Sequence, residues 1–140
     1  MQSNRFLKPI FLMVIAIASM HIIAIIFHLY WSLWWFDKVT HFFWGFWVAM
    51  VFLSFSIFKN YINQSNKSYR RFLLISVVFS LVIGVFWEIF EFQAGVTSLQ
   101  SSNFVFDTAS DLLMDILGSI AGSMYVFSRY KIFNNSKTNE

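Results

Sequence analysis

The sequence has no cysteine and few charged residues, which account for only 12% of its 140 positions. The absence of cysteine excludes disulfide bonds, thiolate metal sites and cysteine nucleophiles. The low charge argues against an ordinary soluble domain, in which about 25% of residues are charged. Hydrophobic residues make up 58% of the chain, so the composition predicts a membrane protein. A chain of this length is expected to form one domain, residues 1–140.

Four apolar runs are each close to the roughly 20 residues that a helix needs to cross a bilayer. They are residues 9–30, 39–58, 72–91 and 108–128, and a tail follows at 129–140. The runs predict an all-α membrane protein, a four-transmembrane-helix bundle. The first run could also be a signal peptide, because Arg5 and Lys8 precede it and Ala16-Ile17-Ala18 resembles a cleavage site. Its apolar stretch is too long for an ordinary signal peptide, which favours an uncleaved helix.

Positive charge is distributed unevenly around these runs. Nine of the ten basic residues precede the first run, separate the second from the third or follow the fourth, and Lys38 alone lies on the other side. The positive-inside rule then places both termini and the loop 59–71 in the cytoplasm. We therefore expect a bacterial plasma membrane protein with membrane lipids as partners. The basic residues indicate topology rather than nucleic-acid binding.

Six of the seven acidic residues lie at the ends of the runs that this topology turns outward. They are Asp37, Glu88, Glu91, Asp107, Asp111 and Asp115. Helical spacing arranges them in three stripes, each with glycine deeper in the helix: Asp37, His41 and Gly45; Gly84, Glu88 and Glu91; and Asp107, Asp111, Asp115, Gly118 and Gly122. Because glycine allows helix backbones to approach closely, we expect the three stripes to share one interior.

The acids have different alternative explanations. Asp37 and Asp107 could cap helix N-termini, whereas Glu88 and Glu91 could reach the aqueous interface. Asp111 and Asp115 lie too deep for either and require a partner or a proton.

Three nearby side chains also need an interpretation. Lys38 could meet lipid phosphate or a neighbouring carboxylate. His28 could join the acids, whereas the deeper His21 suits a packing role.

Carboxylates with one imidazole suit Mg²⁺, Mn²⁺ or Zn²⁺. The candidate metal ligands are His41, Glu88, Glu91, Asp111 and Asp115, and the candidate catalytic groups are His41, Glu88 and Asp111. The first hypothesis is a protein that acts on an envelope lipid or a lipid-linked phosphate. A second is a proton- or cation-coupled transport element, although residues 116–127 offer no evident polar path inward. A third is a structural or regulatory subunit without catalysis.

Several short motifs resemble known families. His41-Phe42-x-x-Gly45, Trp87-Glu88-x-x-Glu91-Phe92 and Asp107-Thr108-x-x-Asp111 are similar to motifs of the uncharacterised YjdF-type membrane proteins. Asp37-Lys38-Val39-Thr40-His41-Phe42 and the Asp111, Asp115, Gly118 and Gly122 spacing resemble VanZ-like proteins, with Asp115 where asparagine is usual. VanZ-like proteins are associated with glycopeptide resistance, and YjdF-type proteins have no assigned activity. The motifs favour the YjdF-type group and support a site more than a reaction.

Overall fold

The computed structural model describes residues 3–59, 61, 68–95 and 103–137, with side chains from 7 to 130 within these ranges. Residues 60 and 62–67 in the loop expected at 59–71, and residues 96–102 in the loop expected at 92–106, lie outside the described residues. The described chain is helical and contains no strand. Its helices are α1 (Ser3–Ile26), α2 (Leu29–Ser32), α3 (Phe36–Phe58), α4 (Tyr69–Gln93) and α5 (Phe104–Lys137). The all-α fold expected from the apolar runs is confirmed.

The helix boundaries follow local backbone geometry. α1 ends at Ile26 because His28 adopts a left-handed conformation with φ 54°, which interrupts the right-handed helix. The four-residue α2 then leads into α3. α5 contains the apolar run 108–128 and continues without interruption into the segment expected to form a tail.

Three helical segments are long and apolar enough to cross a membrane. They are Leu7–Ile26, Phe36–Phe58 and Tyr69–Gln93, within the described part of the chain. α5 is long enough, but several acidic and polar residues interrupt its apolar sequence.

α3 is the central helix of the bundle. It contacts α1, α4 and α5, and its contact with α5 is the most extensive of all the helix pairs. Glycine makes this contact possible: a Cβ atom on Gly118 would collide with the Phe42 carbonyl oxygen, and one on Gly45 would collide with the Asp115 carbonyl oxygen. The close helix approach predicted from the glycine stripes is therefore present between α3 and α5.

The interior of the bundle changes character along its length. The half distant from the start of α3 holds an apolar cluster of Met50, Leu53, Phe72, Val126 and Tyr130. Four serine side chains of α4 and α5 are buried, and we name them the serine seam: Ser76, Ser80, Ser119 and Ser123. Ser119 and Ser123 lie inside 116–127, where each hydroxyl donates to a carbonyl oxygen of α5, so this stretch buries two polar side chains together with the apolar Val126. The half at the start of α3, which we name the acidic end, holds the carboxylates of α3, α4 and α5 together with Lys38 and His41.

Candidate acidic and histidine site

The first turns of α3 supply three charged or titratable side chains, Asp37, Lys38 and His41. Trp35 is the N-cap residue of α3 and makes no side-chain capping bond. Asp37 lies inside the first turn, where Thr40 Oγ1 donates to its carbonyl oxygen at 2.6 Å and to its Oδ1 at 3.3 Å. Asp37 therefore complements the helix dipole by position, but its carboxylate faces the acidic end and does not cap the helix.

His41 is buried, with 2% of its surface exposed, and lies among carboxylates from all three main helices. Its Nδ1 is 3.3 Å from Asp115 Oδ2 on α5. Its Nε2 is 4.0 Å from Asp37 Oδ1 on α3 and 3.9 Å from Glu88 Oε1 on α4. The predicted convergence of the three stripes is therefore present, with the imidazole at its centre.

Lys38 reaches across to α5 and pairs with carboxylates. Its Nζ lies 2.5 Å from Asp107 Oδ1, 2.7 Å from Asp111 Oδ1 and 4.0 Å from Asp37 Oδ2. Of the two partners considered for Lys38, the structure places it on the carboxylates. Asp107 lies in the first turn of α5, and its side chain binds this ammonium group. Asp111 is buried, with 2% of its surface exposed.

The two glutamates of α4 are in different surroundings. Glu88 Oε2 accepts a hydrogen bond from Thr108 Oγ1 at 2.8 Å, whereas Glu88 Oε1 is buried without a hydrogen-bond partner. Glu91 Oε1 accepts a 2.9 Å bond from Trp87 Nε1. Within the described chain, Glu91 makes no ion pair with Lys38 or His41. Glu88 therefore belongs to the cluster, and Glu91 is held at its edge.

Three ligand groups are close enough together for one metal ion. Asp37, His41 and Asp111 each offer one atom, and these atoms all lie within 4.8 Å of one another. Two of these residues belong to the predicted ligand set. Asp37 does not, because its position at a helix start favours a capping role. The spacing of four residues between Asp37 and His41 is the signal that could have found it.

Asp115 is on the other side of the imidazole from this trio. Its carboxylate lies against the backbone of Gly84, where a Cβ atom would collide with Oδ2. Beside it is a cavity of about 40 Å³, lined by His41, Trp44, Val48, Ser80, Ile83, Gly84, Trp87 and Asp115. Asp115 therefore orients His41 through Nδ1 and leaves Nε2 directed at the other acids.

The two remaining histidines lie outside the cluster. His21 on α1 shares a 2.7 Å hydrogen bond with the Tyr30 hydroxyl. His28 is exposed and packs against the Trp31 ring at a centroid distance of 5.7 Å. The packing interpretation of His21 therefore fits its contact with Tyr30, whereas His28 does not join the acids.

Comparison with known proteins places the chain in a family. It matches the family described as predicted membrane protein (DUF2238) over residues 2–131. The chain belongs to this family. No curated protein and no solved structure matches it. The DUF2238 match supports a membrane protein of uncharacterised function. It does not test the resemblance to YjdF-type and VanZ-like proteins, which stays a prediction.

The charges of this DUF2238 site do not balance. Five carboxylates, those of Asp37, Glu88, Asp107, Asp111 and Asp115, surround one ammonium and one imidazole. Buried carboxylates need a positive partner or a proton because their desolvation is otherwise costly. The arrangement can therefore take up cations or protons, and it would repel a phosphate group unless a cation intervened.

Proposed function

We propose that this chain is a four-span protein of the bacterial plasma membrane, with both termini in the cytoplasm and the acidic end facing outward. The uneven distribution of basic residues supports this orientation. The exposed side chains of α5 include the apolar Leu113, Leu117 and Met124. Such side chains can face lipid, which supports α5 as the fourth span. The acids that lower its average hydropathy, Asp111 and Asp115, are buried against the other helices and need not meet lipid.

The acidic end binds a divalent cation in this proposal, and the observation that carries it is the grouping of Asp37, His41 and Asp111. Their ligand atoms lie within 4.8 Å of one another, and two carboxylates with one imidazole suit Mn²⁺, Mg²⁺ or Zn²⁺. A metal-bound histidine commonly has a carboxylate on its other ring nitrogen, which orients the ring. Asp115 holds this position beside Nδ1 of His41. Glu88 Oε1, buried without a hydrogen bond, provides a further acceptor.

The substrate class that suits such a site is a lipid or lipid-linked phosphate. Trp31 and Trp34 near the start of α3 are 72% and 82% exposed, and tryptophan at a span end is typical of the lipid headgroup level. A bound divalent cation would draw charge from a phosphate oxygen. His41 and Asp111 would hold that cation, while Glu88 Oε1 would accept a proton from the water that attacks phosphorus. The bond between phosphorus and the lipid oxygen would break, and that oxygen would take a proton from solvent as it leaves.

The test is cation binding by the purified chain in detergent micelles. We expect Mn²⁺, followed by electron paramagnetic resonance, to bind the native chain, and Asp111→Asn to weaken that binding strongly. Glu91→Gln is the matched control, because it also removes a carboxylate from the acidic end but leaves the trio intact. The proposal is wrong if neither the native chain nor a chain in which Lys38 has been replaced binds Mn²⁺.

The substrate class is tested separately. Phosphate release would be measured from a phosphatidic acid and from a prenyl diphosphate, each with and without Mn²⁺. Release that requires Mn²⁺ and is lost in Glu88→Gln, at Mn²⁺ concentrations that saturate this variant, supports hydrolysis. If the chain binds Mn²⁺ but releases phosphate from neither lipid, the results support a cation-binding protein and not an enzyme that acts on these lipids.

A second candidate is proton- or cation-coupled transport, which the serine seam favours. The seam follows the acids along α4 and α5 toward the opposite end of the bundle, and its Ser80 Oγ donates to the Asp115 carbonyl oxygen at 3.1 Å. Proteoliposomes with an internal pH-sensitive dye would report flux driven by a cation gradient. No flux in the native chain would remove this candidate. If Asn variants of Asp111 and Asp115 lose only folding yield, with activity per folded molecule unchanged, the acids have a structural role.

A further inference from the structure

Lys38 is paired with a carboxylate that the proposed cation would also bind. Its Nζ lies 2.7 Å from Asp111 Oδ1, and Asp111 belongs to the trio proposed to bind the cation. The same ammonium lies 2.5 Å from Asp107 Oδ1, which is outside the trio. One positive group therefore joins the candidate cation site to a neighbouring carboxylate.

We propose that Lys38 is an internal counter-ion, which competes with the divalent cation for Asp111 and remains on Asp107 when the cation binds. This inference rests on the proposed cation site and adds what regulates access to it. The required movement is small, because Lys38 already contacts both carboxylates. The cation would enter by exchange with the ammonium group and not by filling an uncharged space.

The two carboxylates differ in the way that this exchange requires. The Asp111 side chain is 3% exposed, so it needs a positive partner in every state of the site. The Asp107 side chain is 49% exposed, so water screens the ion pair that Lys38 keeps there. A divalent ion and an ammonium group on the same Asp111 carboxylate would repel each other at short range.

Glu88 gives independent support for a cation in this space. Its Oε1 is buried without a hydrogen-bond partner and lies 3.9 Å from His41 Nε2. Lys38 contacts Asp37, Asp107 and Asp111, and Glu88 is not among its partners. The lysine therefore neutralises one side of the cluster, and an acceptor on the α4 side is left for another cation.

The alternative is a permanent structural ion pair, and the two roles predict opposite changes. If Lys38 only holds α3 to α5, its removal leaves the acids without compensation and loosens the site, so Mn²⁺ binds no better. If Lys38 competes with the cation, its removal frees Asp111. The affinity for Mn²⁺ should then rise about tenfold or more, given the strength of short-range repulsion between like charges.

The experiment measures the Mn²⁺ affinity of Lys38→Met and Lys38→Gln in detergent micelles, with Lys59→Met as the control. Lys59 follows the opposite end of α3, so its removal changes net charge equally without touching the cluster. Folding is checked by elution profile and tryptophan fluorescence. Tighter binding in either folded Lys38 variant, with Lys59→Met unchanged, supports the proposal. Equal or weaker binding in the folded Lys38 variants overturns it.

The part played by Asp107 is tested by a double-mutant comparison. Asp107→Asn should weaken Mn²⁺ binding in the native background, because the remaining carboxylate partners of Lys38, Asp37 and Asp111, both belong to the trio. In the Lys38→Met background the same change should have little effect. An equal loss in both backgrounds would indicate a simple effect of net charge. It would overturn the proposal that Asp107 holds Lys38 when the cation binds.

The same measurements separate this inference from the proposed function. If neither the native chain nor any Lys38 variant binds Mn²⁺, the cation site itself is wrong. If the native chain binds Mn²⁺ and the Lys38 variants bind it no more tightly, only the competition is wrong. Binding that is detected only after Lys38 is replaced supports both.

Discussion

His41 Nδ1 lies 3.3 Å from Asp115 Oδ2, a contact between residues 74 positions apart in the chain. It joins α3 to α5 at a level where their backbones are in close contact, because Gly45 packs against the Asp115 carbonyl oxygen. It also determines which ring nitrogen faces the remaining acids. Through this contact, the close packing of the bundle sets the chemistry available at its acidic end.

Replacement of Asp115 by asparagine tests that orientation. The amide keeps the shape of the side chain but removes the charge opposite His41 Nδ1, so the imidazole loses the partner that fixes it. Loss of such an outer partner typically lowers metal affinity about 10–100-fold. We expect a loss of this size in Mn²⁺ titrations of Asp115→Asn. An unchanged affinity in the folded variant would contradict the orienting role.

Replacement of Gly118 by alanine tests the α3–α5 contact. Alanine in place of glycine within a helix normally stabilises it by about 0.5–1 kcal/mol. Here the added Cβ meets the Phe42 carbonyl oxygen, which belongs to the backbone and cannot rotate away. We therefore expect the opposite sign, a lower unfolding temperature in detergent. A higher unfolding temperature for Gly118→Ala would show that the helices separate easily at this point.

The two glutamates of α4 should respond differently to the same change. Glu88→Gln removes the unpartnered Oε1 charge beside His41 and should weaken Mn²⁺ binding about tenfold, at the lower end of such effects. Glu91→Gln keeps an oxygen that can accept the Trp87 bond and should leave the affinity nearly unchanged. Isothermal titration of both variants provides the comparison. Equal losses would place Glu91 among the ligands after all.

Membrane orientation can be tested because the chain has no cysteine of its own. Ser65→Cys and Ser98→Cys place single thiols in the two loops that the basic residues assign to opposite sides. A membrane-impermeant maleimide added to intact cells should label Ser98→Cys and should label Ser65→Cys only after lysis. The reverse pattern would contradict the orientation proposed from the charges.

Much of the architecture could be predicted from local sequence properties. Apolar runs about 20 residues long predict helices that can cross a membrane, and the chain forms helices in all four runs. The stripes at helical spacing also predicted that His41, Glu88, Asp111 and Asp115 would converge. Such predictions succeed because helix periodicity fixes which side chains share a face, and glycine on that face indicates where another helix approaches.

The pairing within the cluster could not be predicted in this way. The sequence left Lys38 between lipid phosphate and carboxylate, Asp37 between cap and ligand, and Glu91 among the ligands. The rotation of α3 against α5 decides these questions, because it brings Lys38 onto Asp107 and Asp111. Glu91 is held by Trp87 on its own helix, and nothing in its spacing from Glu88 distinguishes it.

The sequence by itself determined that this is an apolar, helical membrane protein whose acids are concentrated at one end of its helices. Composition and periodicity are enough for that, because they depend on neighbours along a single helix. Only the tertiary structure decided which acids face the imidazole and which face the ammonium. Those contacts depend on how three helices rotate against one another, and close packing at Gly45 and Gly118 fixes that rotation.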